Sequence, residues 1–490
     1  MKSETWKNRG ITLVALVITI IVLLILAGIT ITLTIGQNGI INRAKEAGKN
    51  YLDAQGQELE GLNNFDKEAE NILTNMPGAG ENTSKDPSKE IIGDGSVVEG
   101  VSSPKLTGNM IPVIYDNSIT TANGNIPAYW KKANNEKEWY SYQDTAVTGP
   151  GTSRWANAIT TDGSMWVWIP RYAYKITSGY HSNTAGTIEI KFIDTKNQFL
   201  DGTREEITDD PTKSGAGQNI WLVHPAFTAN ADNGGGFGEL EGVWVGKFET
   251  TGTIDNLTVK PAEASLKGQN VNDMWKLAQN KQKASFGETV DLKQHMAKNS
   301  EWGMTVYLAH SNYGTKGTKM ETNTNENYYT GGSDKTEIIY ENNIRQSTTL
   351  NPYGVYDLNG GSDEYVASYL KNGHQNLETY GVDLTKENIS TAYKTIYNSI
   401  TTTGSNTQSD DYGLLNYTNI KRGDAIWETS NTYSSNTSSW QATSAKFPYA
   451  SNPFFLRGGS ATVTGAGIFH FKYGTGSGYA SASFRMVMNA

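Results

Sequence analysis

The chain has 490 residues, too many for one average domain, and no cysteine, so disulfides, thiolate metal sites and cysteine nucleophiles are excluded. Its formal charge of -9 comes without any run of Lys and Arg, which removes the electrostatic footprint of a nucleic-acid binder; no nucleic-acid partner is expected. With 12 Trp, 26 Tyr, 13 Phe and 51 Gly in an otherwise polar chain, composition favours loop-rich β structure and contact surfaces over helical bundles.

The first element is the uncharged run Ile11–Ile35. At ~1.5 Å per helical residue it is long enough to cross a bilayer core of ~30 Å, and Lys2, Lys7 and Arg9 ahead of it favour an N-inside orientation. A cleaved secretory signal fits poorly, because the run is long and no small-x-small site follows. The junction Lys7-Asn8-Arg9-Gly10, followed by Ile11-Thr12-Leu13-Val14, resembles a type IV prepilin processing site. The resemblance implies a leader over 1–10, cleavage after Gly10 by prepilin peptidase, a methylated Ile11, and pilin-like subunits as partners. Pilins carry Glu at the fifth mature position, where it pairs with a neighbour's terminal amine inside an apolar bundle; this chain has Ala15. Two readings stay open: a subunit at a pilus tip, or a membrane-anchored surface protein outside any pilus.

From Gln37 to Asn75 apolar residues recur at threes and fours, so 11–75 reads as a transmembrane, pilin-like helix continued by a stalk. Residues 76–108 are rich in Pro, Gly, Ser, Asn, Lys and Glu and read as a flexible linker. The head, 109–490, begins as a mosaic of aromatic strands and polar loops: Met165–Ile176, Trp221–Phe227 and Gly242–Thr250 have strand character. Helical stretches are expected near Asn272–Gln282 and His295–His310, and short Gly-punctuated aromatic segments close the chain. The expected class is α+β.

Five head segments, in order, resemble the C-type-lectin-like fold in its formylglycine-generating-enzyme (sulfatase-modifying factor) variant. They are Gly242–Thr250, Asn299–Leu308, Tyr353–Gly361 with Glu364-Tyr365, Arg457-Gly458-Gly459-Ser460, and Ser483-Phe484-Arg485. The resemblance implies short strands, long loops and a scaffold using Arg457, Gly458, Gly459, Phe484 and Arg485. Both arginines need carboxylate or carbonyl partners wherever they are buried.

The chemistry of the enzymes of that fold is missing. Formylglycine-generating enzymes hold copper through cysteine ligands, which this chain lacks, and none of its six histidines stands in a metal-binding spacing. No Gly-x-Ser-x-Gly elbow supports a serine nucleophile. The family's calcium site uses Asn and Glu, and Gly361 occupies the Asn position; no cofactor is expected, with calcium left open but without support at Gly361. An extracytoplasmic enzyme with altered chemistry remains the alternative to a binding protein.

The terminal segment 457–490 resembles, by its place in that fold, the variable region of diversity-generating retroelement target proteins. By that resemblance Ser460, Ala461, Thr462, Val463, His470, Lys472, Tyr473, Thr475, Ser477, Tyr479, Ser481 and Ala482 would contact an extracellular protein or glycan. Their polar, small and aromatic types suit a paratope. The whole then reads as a non-enzymatic adhesin or receptor in the cell membrane, displaying its head outside or on a pilus.

Overall fold

In the computed structural model the strand Met165–Pro170 is buried along its whole length, so both of its faces pack against core. Aromatic and β-branched residues fill it, and Trp168 meets Trp244 of the neighbouring strand with ring centroids 5.1 Å apart. The structure describes residues 93, 97–98, 100–107, 109–213, 220–286, 293–333, 339–412, 419–435, 439–442, 444–463 and 465–489. Side chains are described for these except at 98, 281–286 and 434–435.

Met165–Pro170 lies inside a seven-stranded sheet. Its order is His295–Met296, Met486–Asn489, Gly242–Gly246, Met165–Pro170, Asn157–Ile159, Ile111–Tyr115 and Trp130–Lys132. The strand ends at Pro170, which has no amide hydrogen for the ladder. After Arg171 the chain enters a second sheet, Thr187–Phe192, Tyr172–Ser178, Trp221–Val223 and Ile207–Thr208. Another seven-stranded sheet runs Thr395–Asn398, Asp363–Lys371, Phe454–Arg457, Phe471–Gly474, Ala445–Lys446 and Ser434–Ser435, with Ala482–Phe484 parallel to the start of Asp363–Lys371.

Among the described residues the architecture is predominantly β, with six α-helices, the longest being Val271–Phe286 at 16 residues. This corrects the expected class of α+β with a long hydrophobic helix ahead of a lectin-like head. The aromatic segments pair as sheets, and no described helix is long and apolar enough to cross a membrane. The leader, the Gly10–Ile11 junction and the apolar run Ile11–Ile35 lie outside the described residues.

The folded head also starts ahead of Asn109. Val97–Val98 pairs with Val101–Ser102 inside the stretch expected to be linker. Val101 and Ser103 are buried, Ser103 Oγ donates to Glu136 Oε1 at 2.7 Å, and Trp244 Nε1 donates to the Lys105 carbonyl at 3.0 Å.

Candidate binding surface

The C-terminal tract begins in one seven-stranded sheet and ends in the other. Phe454–Arg457 runs antiparallel between Asp363–Lys371 and Phe471–Gly474, while Met486–Asn489 lies between Gly242–Gly246 and His295–Met296. A buried arginine stands at each anchor. Arg485 grips Glu364 with two bonds, Nη2 to Oε1 at 2.6 Å and Nε to Oε2 at 3.1 Å, and donates to the carbonyls of Gly246 and Tyr356. Among the described residues no carboxylate pairs with the Arg457 guanidinium. It donates to Asn299 Oδ1 and to the carbonyls of Asp424 and Ala425, and stands 5.5 Å from the Trp302 ring. Burial lowers its pKa to about 10, against the opposing pull of Asp424.

Gly458 and Gly459 follow with φ of 77° and 76°, a left-handed turn that a β-carbon would strain. Phe484 is fully buried and its carbonyl accepts from Thr250 N.

Between these anchors the structure divides the expected contact residues. Ser460, Ala461, His470 and Ala482 are buried, which corrects their placement on a contact surface: they pack inside. Burial holds the His470 imidazole down at about 3, so it stays neutral. Thr462 and Val463 are exposed, whereas Lys472, Tyr473, Thr475, Ser477, Tyr479 and Ser481 are half-buried. In Phe471–Gly474 the two ends are buried and the middle pair, Lys472 and Tyr473, is half-buried.

That loop is self-bonded. Thr475 Oγ1 lies 2.8 Å from both Ser477 Oγ and Tyr479 Oη, and Thr475 N donates to Tyr479 Oη at 3.1 Å. Tyr479 stacks on Tyr365 at 6.0 Å and 15°, and Tyr365 Oη donates to the Ser477 carbonyl at 3.2 Å.

The tract also meets residues that its own sequence does not name. Lys472 Nζ lies 2.6 Å from Asp363 Oδ2, with side-chain exposures of 28% and 6%. Asp363 Oδ1 has no hydrogen-bond partner among the described residues. Burial raises the Asp363 carboxyl, against the opposing pull of Lys472. Nearby, Lys267 Nζ stands 3.6 Å from the Tyr328 ring centroid, and burial followed by the Asp363 charge pushes the Tyr328 phenol up. Gly268 N donates to the Tyr479 carbonyl at 3.1 Å, which brings this segment against the tract. In the turn before Phe454–Arg457, Tyr449 meets Tyr473 edge to face at 4.8 Å. No local sequence signal links Lys267, Tyr328, Asp363 and Tyr449 to the tract, because each comes from a distant segment.

Beneath the surface lies a buried carboxylate group. Glu249 Oε1 accepts from Ser362 N, Asp357 Oδ1 accepts from Asn323 Nδ2 and Gly331 N, and Glu364 holds Arg485. Burial raises all three acids, Glu364 to about 7 against the opposing pull of Arg485. At Gly361 the backbone passes so close to Glu249 that a β-carbon would collide with its Oε1. Asn therefore cannot stand there without displacing Glu249. Among the described residues no group of three or more His, Asp or Glu side chains is placed to hold a metal ion. The histidines occupy separate environments: His224 on the Gly423 carbonyl, His295 on Glu301, His310 on the Gly186 carbonyl, and His181 stacked on Trp427.

No protein-family model and no curated protein matches the chain.

Proposed function

We propose that this chain is a surface-displayed ligand-binding protein. The apolar run Ile11–Ile35 holds it in the cell membrane, and the surface around its C-terminal tract takes up an extracellular protein or glycan. One observation carries the reading. Two exposed and six half-buried residues, mostly polar or aromatic, are held on a tract fixed at both ends by buried arginines. Such a tract accepts new side chains without loss of the scaffold, and Tyr, Ser and Thr are the types that contact surfaces use. The resemblance of its motif order to diversity-generating retroelement targets supports rewriting of the tract. The positions open to rewriting are then Thr462, Val463, Lys472, Tyr473, Thr475, Ser477, Tyr479 and Ser481. The prepilin-like junction supports export through the pilus pathway, with prepilin peptidase and pilin-like subunits as partners.

Binding of the full chain, in detergent, to a glycan and protein array tests the reading. Binding lost in Tyr473→Ala and Tyr479→Ala but kept in Lys132→Ala, far from the tract, is the expected result. Binding indifferent to the tyrosines would overturn it. Intact mass from native membranes tests the export route: a start at Ile11 supports processing, and a start at Met1 leaves a plain anchor.

A further inference from the structure

A second site, separate from the C-terminal tract, lies where the far end of the strand Asp363–Lys371 meets Thr395–Asn398. A cleft of about 400 Å³ opens there, lined by Lys371, Lys394, Lys421, Asp232, Ile396 and Asn398 among others. Two of its lysines are almost wholly buried, Lys394 at 2% exposure and Lys421 at 8%. Lys394 Nζ donates to the carbonyls of Lys386 at 2.6 Å and Leu384 at 3.0 Å. Lys421 Nζ donates to the backbone carbonyl of Asp232 at 2.5 Å and stands 5.4 Å from the Tyr397 ring.

Neither ammonium has a carboxylate within 4 Å among the described residues. A buried ammonium is costly unless it is paired, and carbonyl dipoles compensate it only in part. The third lysine, Lys371, is exposed and pairs with exposed Glu387 at 3.0 Å, a surface contact that a ligand can replace at little cost. Three cations thus converge on one concavity with a single lining carboxylate, Asp232. Burial and then the Lys371 charge lower the Lys394 ammonium to about 8, against the opposing pull of Glu387.

We propose that this cleft binds a small ligand through an oxyanion, a phosphate, sulfate or carboxylate, held by Lys394 and Lys421 from within and Lys371 at the mouth. Lysines act on such groups as point charges that tolerate several oxygen geometries. Ile396 supplies an apolar patch and Asn398 a polar rim for the body carrying the charge. The volume falls in the range of small-molecule sites.

Calorimetric titration of the full chain in detergent, at low ionic strength, tests the proposal. The probes are inorganic phosphate, sulfate, N-acetylneuraminate and the uncharged methyl ester of the last. At least one charged probe is expected to bind, with the ester about tenfold weaker or silent. Which of the charged probes binds tightest identifies the source of the oxyanion. Lys371→Glu leaves the buried residues in place and is expected to weaken binding about tenfold with an unchanged melting temperature. Lys394→Met removes binding if it folds, and Lys132→Glu, on another sheet, leaves it intact. No binding of any charged probe at about 10 mM, or binding indifferent to Lys371→Glu, overturns the proposal. Array binding through the C-terminal tract is read separately, so failure of one site leaves the other standing.

Discussion

The arginine anchors and the tract between them satisfy their polar groups in opposite ways. Arg485 and Arg457 draw partners from far along the chain: Glu364, Gly246 and Tyr356 for one, Asn299, Asp424 and Ala425 for the other. Thr475, Ser477 and Tyr479 bond mainly to one another and to the adjacent Tyr365. Loss of an anchor therefore strands buried groups in several elements, whereas a change in the loop disturbs only its own few bonds. A rigid frame and a replaceable surface can share one short segment because their hydrogen bonds do not overlap.

The largest expected effect comes from breaking an anchor. Arg485→Met leaves Glu364 buried without its cation and should cost about 3–5 kcal/mol, read as a lower urea midpoint. An unchanged midpoint would remove the distinction between frame and surface.

The acids under the surface give the next effect. Glu249, Asp357 and Glu364 all stand above the ordinary carboxylate range, so the folded chain retains protons that the unfolded chain releases. Stability is then whole below the unfolded values, about pH 4, and is lost as pH climbs through the folded ones, to about 7 for Glu364. The melting temperature should fall between pH 5 and pH 8 as these acids ionise. Glu249→Gln keeps the acceptor for Ser362 N and should lessen that fall, gaining about 1 kcal/mol at pH 8 and nothing at pH 4.

Lys472 sharpens the comparison, since it belongs to the tract yet neutralises buried Asp363. Lys472→Met should cost about 1–2 kcal/mol in the same urea experiment, more than any other presented position. Thr462→Ala, fully on the surface side, should stay within about 0.5 kcal/mol while remaining free to alter ligand choice.

Particular elements were legible before the structure. The strand character of Met165–Ile176, Trp221–Phe227 and Gly242–Thr250 follows from dense aromatic and β-branched residues, and strands lie within each. The helical stretch near Asn272 matches Val271–Phe286, whereas the one expected over His295–His310 begins only at Asn299, because His295–Met296 pairs as an edge strand with Met486–Asn489. The overall class was not legible, because local pattern gives segments and leaves their pairing open. Pro170 marks a strand end, but only packing shows that the chain changes sheet there.

The sequence by itself determined the lack of thiol chemistry, the long apolar run, and the arginine and glycine positions that a tight terminal tract requires. Only the tertiary structure decided which tract residues face outward. Ser460 and Thr462 are alike in chemistry, yet one is buried and the other exposed, because the turn after Gly459 and the packing around it set the direction of each side chain. It alone brought Asp363 under Lys472 and gathered Lys371, Lys394 and Lys421 around one cleft. Charges separated along the chain carry no mutual signal until the fold places them within reach of one another.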